Sequence, residues 1–160
     1  MNYIFRDSVR DFLARGSIDA KMFNHRICQM RSHYPEEIRQ ALFQPLDSHD
    51  TERFLWNCSG DIRRLKLAAL FQMCFPGAPS IYYGDEIGLN GANDPDCRRC
   101  MEWNPTKQNE DVLSFYKKVI RIRKENPCLR TGNIVPLVCE KMTYGYLCQS
   151  DSQQIYVLIN

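Results

Sequence analysis

A histidine stands beside an aspartate at His49-Asp50, at the end of the run Phe43 to Ser48. An imidazole next to a carboxylate can hold hydroxyl groups by hydrogen bonds, and the carboxylate can stabilise positive charge that develops on a reacting ring. A lone His-Asp pair more often caps a loop or helix; its position after an apolar run favours chemistry. Further on, Gly77 to Tyr83 ends in Gly84-Asp85-Glu86-Ile87-Gly88-Leu89, so a second run also delivers carboxyl groups at its end. A third set, Asn93-Asp94-Pro95-Asp96-Cys97-Arg98-Arg99-Cys100-Met101, spaces Asp94 and Arg98 one helical turn apart. The planar donor fork of arginine and the two acceptors of aspartate suit vicinal hydroxyls, and they equally suit a surface ion pair. Cys97 and Cys100 form half of a zinc or redox motif. No second pair or closely spaced histidines completes it, which leaves a structural role.

The segments that must position these residues alternate between strand and helix. Asn2 to Phe5 reads as the end of a strand, Ser8 to Ala14 as a short amphipathic helix stopping at Gly16, and Asp19 starts a helix with Met22, Phe23, Ile27 and Met30 at helical spacing. Glu36 to Leu42 is expected as a short helix, Phe43 to Asp50 as a strand, and Ile62 to Phe75 as a largely covered helix ended by Pro76-Gly77. Ala78 to Tyr83 reads as a fully buried parallel strand. The loop Gly84 to Asn109 has a length that is uncommon without a function. Val112 to Arg123 marks another amphipathic helix, closed by Asn126-Pro127. Beyond Arg130 the runs Asn133 to Val138, Thr143 to Cys148 and Gln154 to Ile159 read as antiparallel strands, which places a domain boundary near Cys128 to Gly132. Pro45 sits inside an expected central strand, where it removes a ladder donor.

The chain has 160 residues, 44% hydrophobic and 25% charged, with a net charge of +2, and so suits one ordinary core rather than a disordered tail. Arg63, Arg64 and Lys66, like Lys117, Lys118, Arg121 and Arg123, fall in helical patterns that also carry apolar residues. They read as solvated faces, and nucleic acid is not an expected partner. No segment approaches the roughly 20 apolar residues of a membrane span, and Met1 to Asp7 lacks the order of a signal peptide. A cytoplasmic location without membrane contact is expected, with the eight cysteines as reduced thiols. Cys28 and Cys74 are expected as small hydrophobes inside helices.

The order of Met1-Asn2-Tyr3, Leu46 to Thr51, Gly77 to Leu89 and Asn93 to Met101 closely resembles the α-amylase superfamily, glycoside hydrolase family 13. Within it, the neopullulanase, cyclomaltodextrinase and maltogenic amylase group is the nearest match. The resemblance runs through nearly the whole chain, which corresponds to only a C-terminal portion of such an enzyme; a complete barrel needs about 250 residues. It implies an α/β fold in which residues 1–129 form the C-terminal part of a (β/α)8 TIM barrel and residues 130–160 begin a truncated antiparallel β-sandwich. It further implies retaining hydrolysis of α-1,4-glucosidic bonds in maltooligosaccharides, cyclodextrins or pullulan. By resemblance, Asp50 is the catalytic transition-state stabiliser, and His49, Asp94 and Arg98 bind substrate.

The nucleophile and the acid/base glutamate would lie before Met1, itself expected to be an internal methionine, and the chain alone is expected to be inactive. Asp47, Glu52, Asp85 and Glu86 are not nominated in their place. No metal or cofactor is expected in this segment, any family calcium site lying upstream, and the intact enzyme is expected as a homodimer using an N-terminal domain. Tyr82, Tyr83, Trp56 and Trp103 could stack on sugar rings, although core packing is the commoner use of aromatics; Arg53 is suggestive only. Two alternatives stand beside this reading: an α-1,6-glucosidase or glucan transferase fragment, and a non-catalytic glucan-binding or amylase-like interaction module. An open barrel would also expose strand edges through which the chain could associate.

Overall fold

The computed structural model describes residues 1–160. Its first element is a helix and not the strand end expected there. Asn2 accepts a hydrogen bond from the Phe5 N–H at 3.1 Å, which caps α1 (Tyr3–Val9), and α1 runs straight into a π-helical turn, Arg10–Ala14. What survives of a strand is one bond: the Asn2 N–H donates to Phe43 O at 2.8 Å.

Helix α2 (Ala20–Ser32) starts where the Asp19 carboxylate accepts from Met22 N at 2.8 Å, and it buries Ala20, Phe23, Ile27 and Met30, one stripe at helical spacing. Cys28 falls off that stripe and is exposed, unlike buried Cys74; all eight cysteines are free thiols. After α3 (Glu36–Ala41) comes β1, confined to Phe43–Pro45 and paired in parallel with β2 (Ala78–Ser80). Both strands are shorter than the runs Phe43 to Asp50 and Ala78 to Tyr83, because the following residues turn away to form loops. The β2 residues are only half-buried, since two strands cannot close a barrel over their second face.

Pro45 fits β1 without loss. Leu42 O accepts from Ala78 N on the β2 side and Phe43 O accepts from Asn2 N on the other, so alternation turns the missing Pro45 N–H away from β2.

Between the strands lie α4 (Phe54–Asn57) and α5 (Ile62–Cys74). Gln72, buried on α5, donates to Gln44 O and Ser80 O, each at 2.8 Å, and so ties both strands to the helix. Asn109 caps α6 (Glu110–Glu125), whose buried Arg123 donates to Met73 O, Phe75 O, Leu129 O and Gly77 O at 2.5–2.9 Å. That one guanidinium satisfies the carbonyls at the end of α5 and fixes the entry to β2.

A one-turn helix, α7 (Cys128–Thr131), leads into an antiparallel sheet of β3 (Asn133–Glu140), β4 (Thr143–Gln149) and β5 (Gln154–Ile159), in that order. Tyr144 and Tyr146 of β4 point inward and meet Phe23 of α2 and Phe71 of α5 at ring-centroid distances of 5.0 and 6.1 Å. Phe5 and Phe75 join the same cluster, so a single core runs beneath the parallel strands and the antiparallel sheet. The opposite face of the sheet presents Val135, Leu137, Tyr156 and Leu158 to solvent.

Candidate functional site

The residues after β1 build a tight polar turn. Asp47 is 2% exposed, and its Oδ2 accepts from the Phe54 N–H at 2.6 Å, which starts α4. Ser48 Oγ accepts from Asp50 N at 3.2 Å, and Thr51 Oγ1 accepts from Ser48 N at 3.1 Å. With Asp47, Ser48 and Thr51 all turned inward on the backbone, the two residues between them, His49 and Asp50, project outward and are both exposed.

The long loop after β2 brings the other pair to the same place. Arg98 Nε lies 2.8 Å from Asp94 Oδ1 and donates to His49 O at 3.0 Å, while its Nη2 lies 3.8 Å from Asp50 Oδ1. His49 Nε2 in turn lies 3.3 Å from Asp50 Oδ1. All four residues singled out by resemblance, His49, Asp50, Asp94 and Arg98, thus form one cluster from two separate loops. The surface ion pair between Asp94 and Arg98 is real, but the same guanidinium also reaches the other loop. Exposed ion pairs of this kind are worth about 0–1 kcal/mol, so ligand hydroxyls can replace them at little cost.

Beneath the cluster is a support that the sequence reading had left as only suggestive. Arg53 is fully buried; it donates to Cys97 O at 2.8 Å and Tyr83 O at 2.5 Å and lies 3.3 Å from Asp85 Oδ1. Tyr82 and Tyr83 stack on its guanidinium, 3.9 and 4.6 Å from their ring centroids, so this is where those aromatics are used. The Arg53 N–H also donates to Gly91 O at 3.0 Å. Gly91 is obligatory there, because a Cβ would sit 2.5 Å from Asp96 O. The one signal for Arg53 was its place just after Asp50; a charge buried this deeply cannot be read from spacing.

Asp85 and Asp47 face each other across this support. Burial raises both carboxyl pKa values, Asp85 well above the usual range, with repulsion from Asp47 adding to it and Arg53 opposing it. A hydrogen bond between two carboxyls requires one shared proton, so this pair carries a single proton where both would otherwise ionise. The remaining acids are engaged too: Glu52 pairs with Arg6 at 3.6 Å, and Glu86 accepts from Gly84 N at 2.8 Å. Apart from Asp94, which shares the Arg98 guanidinium with Asp50, these neighbouring acids are tied to partners of their own. Cys97 is buried with its Sγ toward His49 O at 3.4 Å while Cys100 is exposed, so the Cys97-Cys100 motif serves the loop. No group of three or more His, Cys, Asp or Glu side chains is arranged to hold a metal ion. Trp56 and Trp103 are both exposed.

Comparison with known proteins matches this geometry to a family. The model of the α-amylase catalytic domain matches residues 1–132. A cyclomaltodextrinase from a Bacillus species is 44% identical over 100% of this chain and 29% of its own length, and neopullulanase 2 of Thermoactinomyces vulgaris is 45% identical over 100% and 28%. Among solved structures, a cyclomaltodextrinase superposes with a TM-score of 0.96 at 44% identity, covering the whole chain and 28% of that structure. The cyclic α-maltosyl-(1→6)-maltose hydrolase of Arthrobacter globiformis, in complex with maltose, gives 0.93 at 32% identity, over 99% and 36%. The chain thus spans less than a third of the curated relatives named here. Its parallel strands and helices are part of a (β/α)8 barrel, and the chain belongs to the α-amylase catalytic-domain family of glycoside hydrolases.

Proposed function

We propose that this chain carries part of the substrate site of a retaining α-glucan hydrolase acting on α-1,4 links of maltooligosaccharides, cyclodextrins or pullulan. The observation that carries the reading is the Arg98 fork, which joins Asp94, Asp50 and the His49 carbonyl from two loops at the end of the parallel strands. In this reading His49, Asp94 and Arg98 bind sugar hydroxyls. Asp50 binds those that become more acidic as charge develops on the ring, and so favours the transition state over the substrate. Residues 1–129 are the barrel portion and residues 130–160 the opening of a β-sandwich.

Hydrolysis needs a nucleophile and an acid/base; Asp94 is taken up by Arg98, and Asp47, Glu52, Asp85 and Glu86 are engaged in the scaffold. The chain alone therefore binds glucan without cleaving it, and the intact protein is a cytoplasmic homodimer needing no cofactor from this segment. Two observations support the location: no helix is long and apolar enough to cross a membrane, and a 41% identical Bacillus subtilis relative is named an intracellular maltogenic amylase.

Incubating the chain with maltoheptaose, cyclodextrin and pullulan while titrating maltoheptaose by calorimetry tests both halves. Binding without new reducing ends is expected; release of reducing ends, or no binding at all, contradicts the proposal. A second reading, action on α-1,6 links, draws on the named activity of the Arthrobacter globiformis neighbour on a cyclic maltosyl-(1→6)-maltose.

A further inference from the structure

We infer a second carbohydrate-binding groove, separate from the Arg98 cluster, with Trp56 as its stacking platform and Arg15 and Asn57 at its hydroxyl-binding end. It rests on the glucan reading above and adds a site to it. Trp56 sits on α4 between buried Leu55 and half-buried Asn57, yet its own side chain is 51% exposed. It lines an open cleft of about 460 Å³ together with Ser59, Gly60 and Asn90, a volume within the span of small-molecule sites. A second cleft of about 510 Å³, bordered by Arg15, Asn57 and Arg64, also includes Ser59. Both clefts border Ser59, so an aromatic cleft and a donor-rich cleft flank the same turn, and the groove we infer runs across it.

The turn at the junction keeps the groove open. Ser59 and Gly60 both adopt left-handed backbone, with φ of 53° and 82°, and a Cβ on Gly60 would meet nothing within 4 Å. A left-handed serine costs roughly 1 kcal/mol or more, and such strain concentrates where ligands are held.

The lining chemistry favours a neutral polyol. An exposed indole offers a flat apolar face to the C–H face of a pyranose, the complement that a sugar lacks in its hydroxyl rim. Arg15 directs Nε and Nη2 at Asn57 Oδ1, at 3.1 and 2.7 Å, which leaves Nη1 for a ligand hydroxyl. Arg64 uses Nη1 on Ala14 O at 2.6 Å and keeps Nη2 free. Asp61, 2.9 Å from Arg63 and 3.9 Å from Arg64, offsets part of the positive charge at this end, and the exposed indole supplies an apolar face that a phosphate does not use.

Arg53 links the groove to the first site. Its carbonyl accepts from Trp56 N at 3.0 Å and Asn57 Nδ2 at 3.4 Å, its N–H holds Gly91 beside Asn90, and its side chain supports the Cys97 carbonyl. A glucan long enough to reach both sites would gain from effective concentration without any new contact.

The chain has two tryptophans, so Trp103→Phe leaves Trp56 as the only one. Titrating that variant with maltoheptaose should give a saturable change in Trp56 emission. The change should persist when Asp50→Ala and Arg98→Ala are added, and binding should weaken roughly tenfold with Arg15→Ala and Asn57→Ala, as for a truncated interface hot spot. Far-ultraviolet circular dichroism checks that each variant stays folded. Unchanged Trp56 emission while calorimetry still detects binding at the Arg98 cluster overturns the groove and leaves the function standing. Loss of the emission change on removing Asp50 and Arg98 also overturns it, because Trp56 would then report only the first site. An equal response to inorganic phosphate overturns the polyol assignment, and absence of any binding overturns both proposals.

Discussion

Replacing Asp85 with asparagine should change how the stability of this chain depends on pH. Asp47 and Asp85 are 2% and 3% exposed, and burial raises both carboxyls above their usual range; Asp47 pushes Asp85 up further, whereas the hydrogen bond from Asp85 pulls Asp47 back down. A carboxyl with a higher pKa folded than unfolded gives its full stability below the unfolded value, about 3.9, and loses it as pH rises toward the folded value. Where the folded chain keeps this proton and the unfolded chain has released it, the unfolding free energy falls by about 1.4 kcal/mol per pH unit. Asp11, Asp61 and Asp96, whose pKa values are lowered, act in the opposite sense, but only as pH falls below roughly 4. Thiols pushed up by burial, Cys58 to about 12 and Cys74 to about 11, act only above roughly pH 8. The window from about pH 5 to 8 therefore isolates the pair, and comparing two proteins cancels whatever they share. An asparagine at 85 can donate to Asp47 Oδ1 and accept from Arg53, as the protonated acid does. Urea unfolding across that window should show the unchanged chain losing stability as pH rises, with a slope no steeper than that limit, and Asp85→Asn without that component. Parallel pH profiles for the two proteins would refute the shared proton.

Arg53→Met leaves the Asp85–Asp47 pair and two loop carbonyls without their cation, so urea unfolding should show a loss of about 3–5 kcal/mol, and Arg53→Lys should recover only part of it because a point charge cannot reach the Asp85, Cys97 and Tyr83 oxygens together; a loss below about 1 kcal/mol would contradict the support role. Gly91→Ala forces the loop off Asp96 O and should weaken maltoheptaose binding severalfold, whereas unchanged affinity would show that the loop position does not matter. Pro45→Ala should lose about 0.4–1 kcal/mol through the freer unfolded chain; a gain instead would mean that the strand had lacked a needed ladder bond.

Much of the fold was legible because it rests on period. The stripe Phe23, Ile27 and Met30, the covered helix from Ile62, and the alternation after Asn133 all read correctly. Asn2 to Phe5 reads as a strand end because a short apolar stretch has no decisive period, whereas the structure starts a helix at Tyr3 under an Asn2 cap; the helix expected from Ser8 is continuous with it. The runs that suggest β1 and β2 are longer than the strands because Asp47-Ser48 are buried by loop contacts rather than by a ladder, and Tyr82-Tyr83 lie over the Arg53 guanidinium with Tyr83 exposed. The proximity of Arg98 to Asp50 came through the resemblance to a family; residues this far apart in sequence carry no spacing signal. Arg53 is only suggestive and Asp85 not nominated in the sequence because charged groups are expected at the surface, and only packing shows that these two are buried together.

The most direct test of the central claim is calorimetric titration with maltotriose in a Trp56→Ala background, which leaves the Arg98 cluster as the glucan site, with and without Arg98→Ala. Arg98 makes charge-assisted contacts, so its removal should weaken binding by about tenfold or more. Equal affinity in the two proteins would show that the cluster of His49, Asp50, Asp94 and Arg98 does not hold sugar.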